Sequence, residues 1–89
     1  MLALITFPST HDAMRAEKML LQAGFQVTLL PVPREISGDC GLALRLEADH
    51  LAASRAVLLA GLVYVGGVFT GGPGAWREVE VDNWAGGVV

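Results

Sequence analysis

The chain has 89 residues, room for one domain built on one core. It is 53% hydrophobic and 17% charged, which excludes a largely disordered polymer. With a net charge of −3 and only six scattered Lys and Arg residues, it has no basic stripe to neutralise phosphates, so nucleic acid is a poor partner. One cysteine cannot close an internal disulfide, so the framework of a small secreted domain is absent and a cytoplasmic protein is the default. Apolar content this high exceeds what one small core buries, and part of it is expected to meet another subunit or a partner.

Residues 2–7 are short, apolar and closed by Pro8, the pattern of a buried strand. Residues 1–8 also lack the basic start and the length of a signal peptide. Ser9 is a helix N-cap, and Asp12 three residues on nearly completes a capping box. The helix runs to about Ala23 and stops at Gly24. Ala13, Ala16, Leu20 and Ala23 share its inner face, and Arg15, Lys18 and Gln22 its outer one. Residues 26–30 form a second strand ended by Pro31 and Pro33, and residues 31–41 a connector of turn-formers.

In residues 42–47, Leu42, Leu44 and Leu46 alternate with Ala43, Arg45 and Glu47, a strand with one buried face. Asp49 can cap a second helix over residues 50–60, stopped by Gly61. One side, with Ala52, Ala53, Ala56, Val57 and Ala60, can rest on the sheet. The opposite leucines, Leu51, Leu58 and Leu59, would then need cover from the tail or a second copy. Residues 62–69 form a fourth strand, and residues 76–81 alternate and could add an edge strand. The uncharged stretch 56–76 is broken by Gly61, Gly66, Gly67, Gly71, Gly72, Pro73 and Gly74, unlike a membrane span of about 20 continuous apolar residues.

The order β-α-β-β-α-β predicts an α+β fold, the ferredoxin-like split-βαβ sandwich. Its four-stranded antiparallel sheet has order 4-1-3-2, with both helices on one face. Residues 1–69 make this domain, and 70–89 a glycine-rich tail. In that topology the end of strand one and the turn between strands two and three share an edge. Ser9, Thr10, His11 and Asp12 should therefore face the loop holding Arg34, Ser37, Asp39 and Cys40. Backbone N–H groups at the helix start, together with Arg34, would favour a Cys40 thiolate, while Asp39 opposes it.

The blander reading of Cys40 is a small buried hydrophobe. His11 could move protons beside Cys40, or simply fill an exposed first turn. Glu17 could orient Arg34 or His11, or simply lie at the helix edge, and His50 reads as surface. The run Gly71, Gly72, Pro73, Gly74 is no phosphate loop, lacking the Lys-Ser/Thr and the following helix. One cysteine and two distant histidines give no metal-ligand spacing.

Two segments stand out as motifs. The first is Phe7, Pro8, Ser9, Thr10, His11, Asp12 and Ala13, with Arg15, Ala16, Glu17 and Leu20 following. The second is Pro31, Val32, Pro33, Arg34, Glu35, Ile36 and Ser37, followed by Cys40, Gly41, Leu42, Ala43, Leu44 and Arg45. With them the chain resembles the selenium/sulfur carrier protein-like family over about residues 1–69. The resemblance implies that Cys40 holds sulfur or selenium as a persulfide or selenosulfide. Cys40 would pass it between donor and acceptor proteins, as a carrier rather than an enzyme, with no cofactor. Arg34 would then stabilise the terminal anion and His11 transfer protons, with Ser9, Thr10, Ser37 and Gly41 as binding residues. A regulatory or protein-interaction module, and a thiol redox sensor, are the alternatives from other classes.

Overall fold

The structure, a computed structural model, describes residues 1–36 and 41–79. Along the chain come β1 (Leu2–Thr6), α1 (Thr10–Gln22), β2 (Thr28–Pro31), β3 (Leu42–Glu47), a 3₁₀ turn (Ala48–His50), α2 (Leu51–Ala60), β4 (Gly67–Gly71) and β5 (Arg77–Val79). The five strands form one antiparallel sheet of order β2-β3-β1-β4-β5. The expected order 4-1-3-2 is present within it. The expected count of four is corrected to five, because residues 77–79 pair with 68–70 as an edge strand. This α+β arrangement remains compatible with the split-βαβ expectation. Positions 80 and 81 of the predicted edge strand lie outside the described residues.

Strand alternation divides the apolar residues between two faces. On one face Ala3, Ile5, Leu44, Leu46 and Val68 pack with Ala13, Ala16 and Leu20 of α1 and Leu51 and Leu58 of α2. Both helices therefore cover the same side. On the other face Leu4 and Ala43 are fully buried although no helix lies there. Ile36 completes that cluster, with Leu30, Val32, Phe69 and Trp76 around it.

The inner face of α1 is as expected except at Ala23, which is its exposed C-cap. The face of α2 is largely the reverse of the one expected. Leu51 and Leu58 meet the core with a fully buried Ser54, while Ala52, Ala53, Ala56 and Ala60 are exposed and, of the expected side, only Val57 packs against the core. Larger side chains bury more apolar area, and Ser54 is accommodated because its hydroxyl donates to the Leu51 carbonyl at 2.8 Å. Only Leu59 of the three leucines stays outside, 48% exposed. Nor does Asp49 cap α2. The 3₁₀ turn places His50 at that position, with no side-chain cap bond.

Both helices end alike. In α1, Phe25 N–H donates to the Leu20 carbonyl and Gly24 N–H to that of Leu21, with Gly24 at φ +94°. In α2, Val63 N–H donates to Leu58 and Leu62 N–H to Leu59, with Leu62 at φ +57°. These are the paired bonds of the Schellman motif, and in α2 a leucine holds the left-handed position. That turn carries the chain out of register with a strand at residue 62, so β4 begins at Gly67 rather than directly after the helix. Leu62 is 81% exposed, so its side chain gains little there. Relief of about 1–2 kcal/mol of left-handed cost, against about 0.5–1 kcal/mol of added chain entropy, makes Leu62→Gly mildly stabilising. Its urea midpoint should rise, and a fall would contradict this reading.

Candidate functional site

Two strand ends and a helix start converge at one end of the sheet. Thr6, the last residue of β1, pairs with Ala43 and with Gly67. Pro31, the last of β2, pairs with Leu42, and Val32 N–H extends that ladder to the Gly41 carbonyl at 3.0 Å. Helix α1 starts four residues after Thr6. The shared edge expected from topology is thus formed by the first turn of α1 and by Gly41. Gly41, which directly follows Cys40, is exposed at φ +74°, a conformation open to glycine at no steric cost.

Ser9 is the N-cap, with extended backbone. Its hydroxyl accepts from Asp12 N–H at 3.1 Å and donates to the Asp12 carboxylate at 2.8 Å. The cap therefore occupies the Ser9 hydroxyl, whereas Thr10 and His11 are exposed on the first turn. Cys40 and Ser37 lie outside the described residues, as does Asp39. Glu17 is half-buried on α1.

Arg34 takes a different place. Ile36 N–H donates to the Pro33 carbonyl at 3.0 Å, closing a turn with Arg34 and Glu35 at its tip. Ile36 tucks beneath, on the face away from the helices. The Glu35 carboxylate accepts from Gly74 N–H at 2.9 Å. Gly74 belongs to the connection after Gly71, which pairs with Leu2 at the far end of β1. Arg34 is exposed at this tip, and among the described residues no hydrogen bond or ion pair joins it to Ser9, Thr10 or His11.

Sequence reasoning missed a helix-end contact. Arg15, expected on the outer face of α1, is half-buried and donates from Nη2 to the Gly61 carbonyl at 2.8 Å. It satisfies a terminal carbonyl of α2 and brings positive charge to that helix end.

A cleft of about 550 Å³ opens at the opposite end of the sheet, lined by Leu2, Leu21, Phe25, Thr28, Glu47 and His50 among others. The exposed His50 ring meets Phe25 edge-on at 5.9 Å there, so it does have a neighbour. This cleft is remote from the Gly41 end and holds none of the candidate residues. Among the described residues no group of three or more His, Cys, Asp or Glu is arranged to hold a metal, and no helix is long and apolar enough to cross a membrane.

The first turn of α1 is thus exposed at the sheet end where Gly41, the residue after the only cysteine, enters β3. Residues 2–69 match the family model described as "Putative Se/S carrier protein-like". The chain belongs to this family. No curated protein and no solved structure matches it.

Proposed function

We propose that this protein is a sulfur or selenium carrier whose working group is Cys40. The observation that carries the reading is the family match over residues 2–69, a segment containing the only cysteine of the chain. A Cys40 thiolate attacks the terminal sulfur of a donor protein's persulfide. The new S–S bond forms as the donor's cysteine leaves as a thiolate, so no outside oxidant is needed. An acceptor nucleophile then takes the terminal sulfur, and Cys40 leaves as a thiolate again. Selenium transfer follows the same electron count through a selenosulfide.

Without a second cysteine the chain cannot resolve the adduct itself, which suits hand-over to another protein. Arg34 would stabilise the terminal anion with its positive charge. His11 would exchange protons, and Thr10, Ser37 and Gly41 would contact the transferred group. The Ser9 hydroxyl serves the helix cap and would contribute through Asp12 alone. A reducing cytoplasmic compartment would keep the thiol available between transfers.

We read the fold as a ferredoxin-like sandwich with one added edge strand. Its exposed apolar side chains, Met14 and Leu21 on α1, Leu59 on α2, and Leu62 and Tyr64 beyond it, offer a docking surface to donor and acceptor or to a second copy. Incubation with a persulfide donor, followed by intact mass, tests the carrier role. The wild-type chain should gain the mass of one sulfur atom, lost again on reduction. A thiol that only forms disulfides with the donor would support a redox sensor instead.

A further inference from the structure

The cleft at the end of the sheet away from Gly41 has a structural cause. Pairing of β2 with β3 stops at Thr28 and Arg45. The chain before Thr28 does not follow β3 to its end, because Phe25 N–H is held by the Leu20 carbonyl at 2.9 Å, at the close of α1. Leu46 and Glu47 therefore have no partner in β2, and the cleft of about 550 Å³ opens beside them. Its volume falls in the range of small-molecule sites, about 300–1,000 Å³.

The lining has two characters. Leu21, Phe25 and Val27 give an apolar wall, with the His50 ring edge-on to Phe25. Arg45 and Glu47 add two opposite charges. Alternation puts both on the face of β3 away from Leu44 and Leu46, about 7 Å apart along the strand. Arg45 is half-buried, and among the described residues neither charge makes a hydrogen bond or ion pair.

This pair of charges selects among ligands. A molecule with a carboxylate alone brings a second anion towards Glu47. One with an amine alone brings a second cation towards Arg45. A molecule carrying both groups on one carbon can answer each charge, and the wall beside them takes an apolar substituent.

We propose that the cleft binds a free α-amino acid with an apolar side chain. Its carboxylate meets Arg45, its ammonium meets Glu47, and its side chain lies against Leu21, Phe25 and Val27. The site is independent of the carrier reading, because none of the residues invoked there line it.

Titration of the full chain with L-phenylalanine, followed by amide NMR, tests the proposal. Saturable shifts should cluster at Val27, Thr28, Leu46 and Glu47 and spare Thr10 and Gly41. 3-Phenylpropionate, which lacks the ammonium, should bind about threefold more weakly, the worth of one exposed ion pair. Phenethylamine, which lacks the carboxylate, should bind about tenfold more weakly or worse, since the guanidinium contact is charge-assisted. Arg45→Gln should weaken L-phenylalanine by a similar factor. Glu47→Gln should bring L-phenylalanine and 3-phenylpropionate to equal affinity.

The comparison of three ligands uses the wild-type chain, so it decides even where Arg45→Gln fails to fold. No saturable shift at the cleft with L-phenylalanine overturns the proposal. Equal affinity for all three ligands does so too, since the groove would then recognise no charge. Wild-type binding of 3-phenylpropionate as tight as that of L-phenylalanine overturns the amino-acid assignment. A folded Arg45→Gln variant with unchanged affinity removes Arg45 from the site and overturns it as well.

Discussion

Serine in place of Cys40 is expected to abolish uptake of sulfur or selenium completely. A hydroxyl cannot form a persulfide, and no second cysteine exists to take over. Serine differs from cysteine by one atom, so loss of fold would not accompany loss of uptake. Intact mass after donor treatment gives the result directly, and an adduct retained by Cys40→Ser would refute the assignment. Alanine at Arg34 should instead give a graded loss of about tenfold or less, the size of one charge contact near a surface, and alanine at His11 a loss of about 100-fold or more, the size of one proton-transfer group. His11 lies on the first turn of α1 and Arg34 at the tip of the turn closed by Ile36 and Pro33, with no contact between them. Their losses should therefore multiply without a coupling term. Strong coupling would show that the two meet during transfer.

The largest loss of stability is expected from Phe7→Ala. Phe7 is 1% exposed and follows β1 directly, where the chain turns through Pro8 into the Ser9 cap. Its ring packs in the helix-side core with residues of both helices and of three strands. Removing a buried phenylalanine costs about 3–5 kcal/mol, against a total stability of about 5–15 kcal/mol for a domain. Urea unfolding should show a midpoint lowered by a third or more, or no folded baseline. Leu4→Ala probes the opposite face in the same way, and should cost about 2–5 kcal/mol because Leu4 is fully buried in the cluster with Ile36 and Ala43. A Leu4 variant as stable as wild type would show that the helix-free face contributes nothing to folding.

The main architecture was legible in the sequence because its signals are local and periodic. The element order, the Ser9 cap, the Gly24 stop and the alternation in β3 led to the strand order and to the α1 face, whereas β2, expected over 26–30, is Thr28–Pro31. The misplaced start of β4 has a single cause. Leu62 adopts a conformation that sequence rules reserve for glycine, so its apolar neighbours read as strand. The face of α2 was misjudged because small residues suit close packing and large ones gain more from burial, and here burial prevails. The placement of Arg34 was hidden for another reason. Glu35 and Gly74 are 39 positions apart, and no periodicity links a side-chain acceptor to a turn N–H so distant in sequence. Ile36 and Val32, two apolar residues inside a connector of turn-formers, were the available hint that it lies against a surface.

The five-stranded sheet also guards itself against its own kind. Without β5, the outer edge would be β4, whose sequence Gly-Val-Phe-Thr-Gly has no charge to discourage pairing with a neighbouring molecule. The strand that covers it, described over Arg77–Val79, includes exposed Arg77 and Glu78. At the opposite border β2 is only four residues long and ends in Pro31, which has no N–H to offer another strand. Both borders thus present a template broken by charge or by proline. A protein rich in apolar residues can then expose hydrophobic side chains on its helices without growing, edge to edge, into an aggregate.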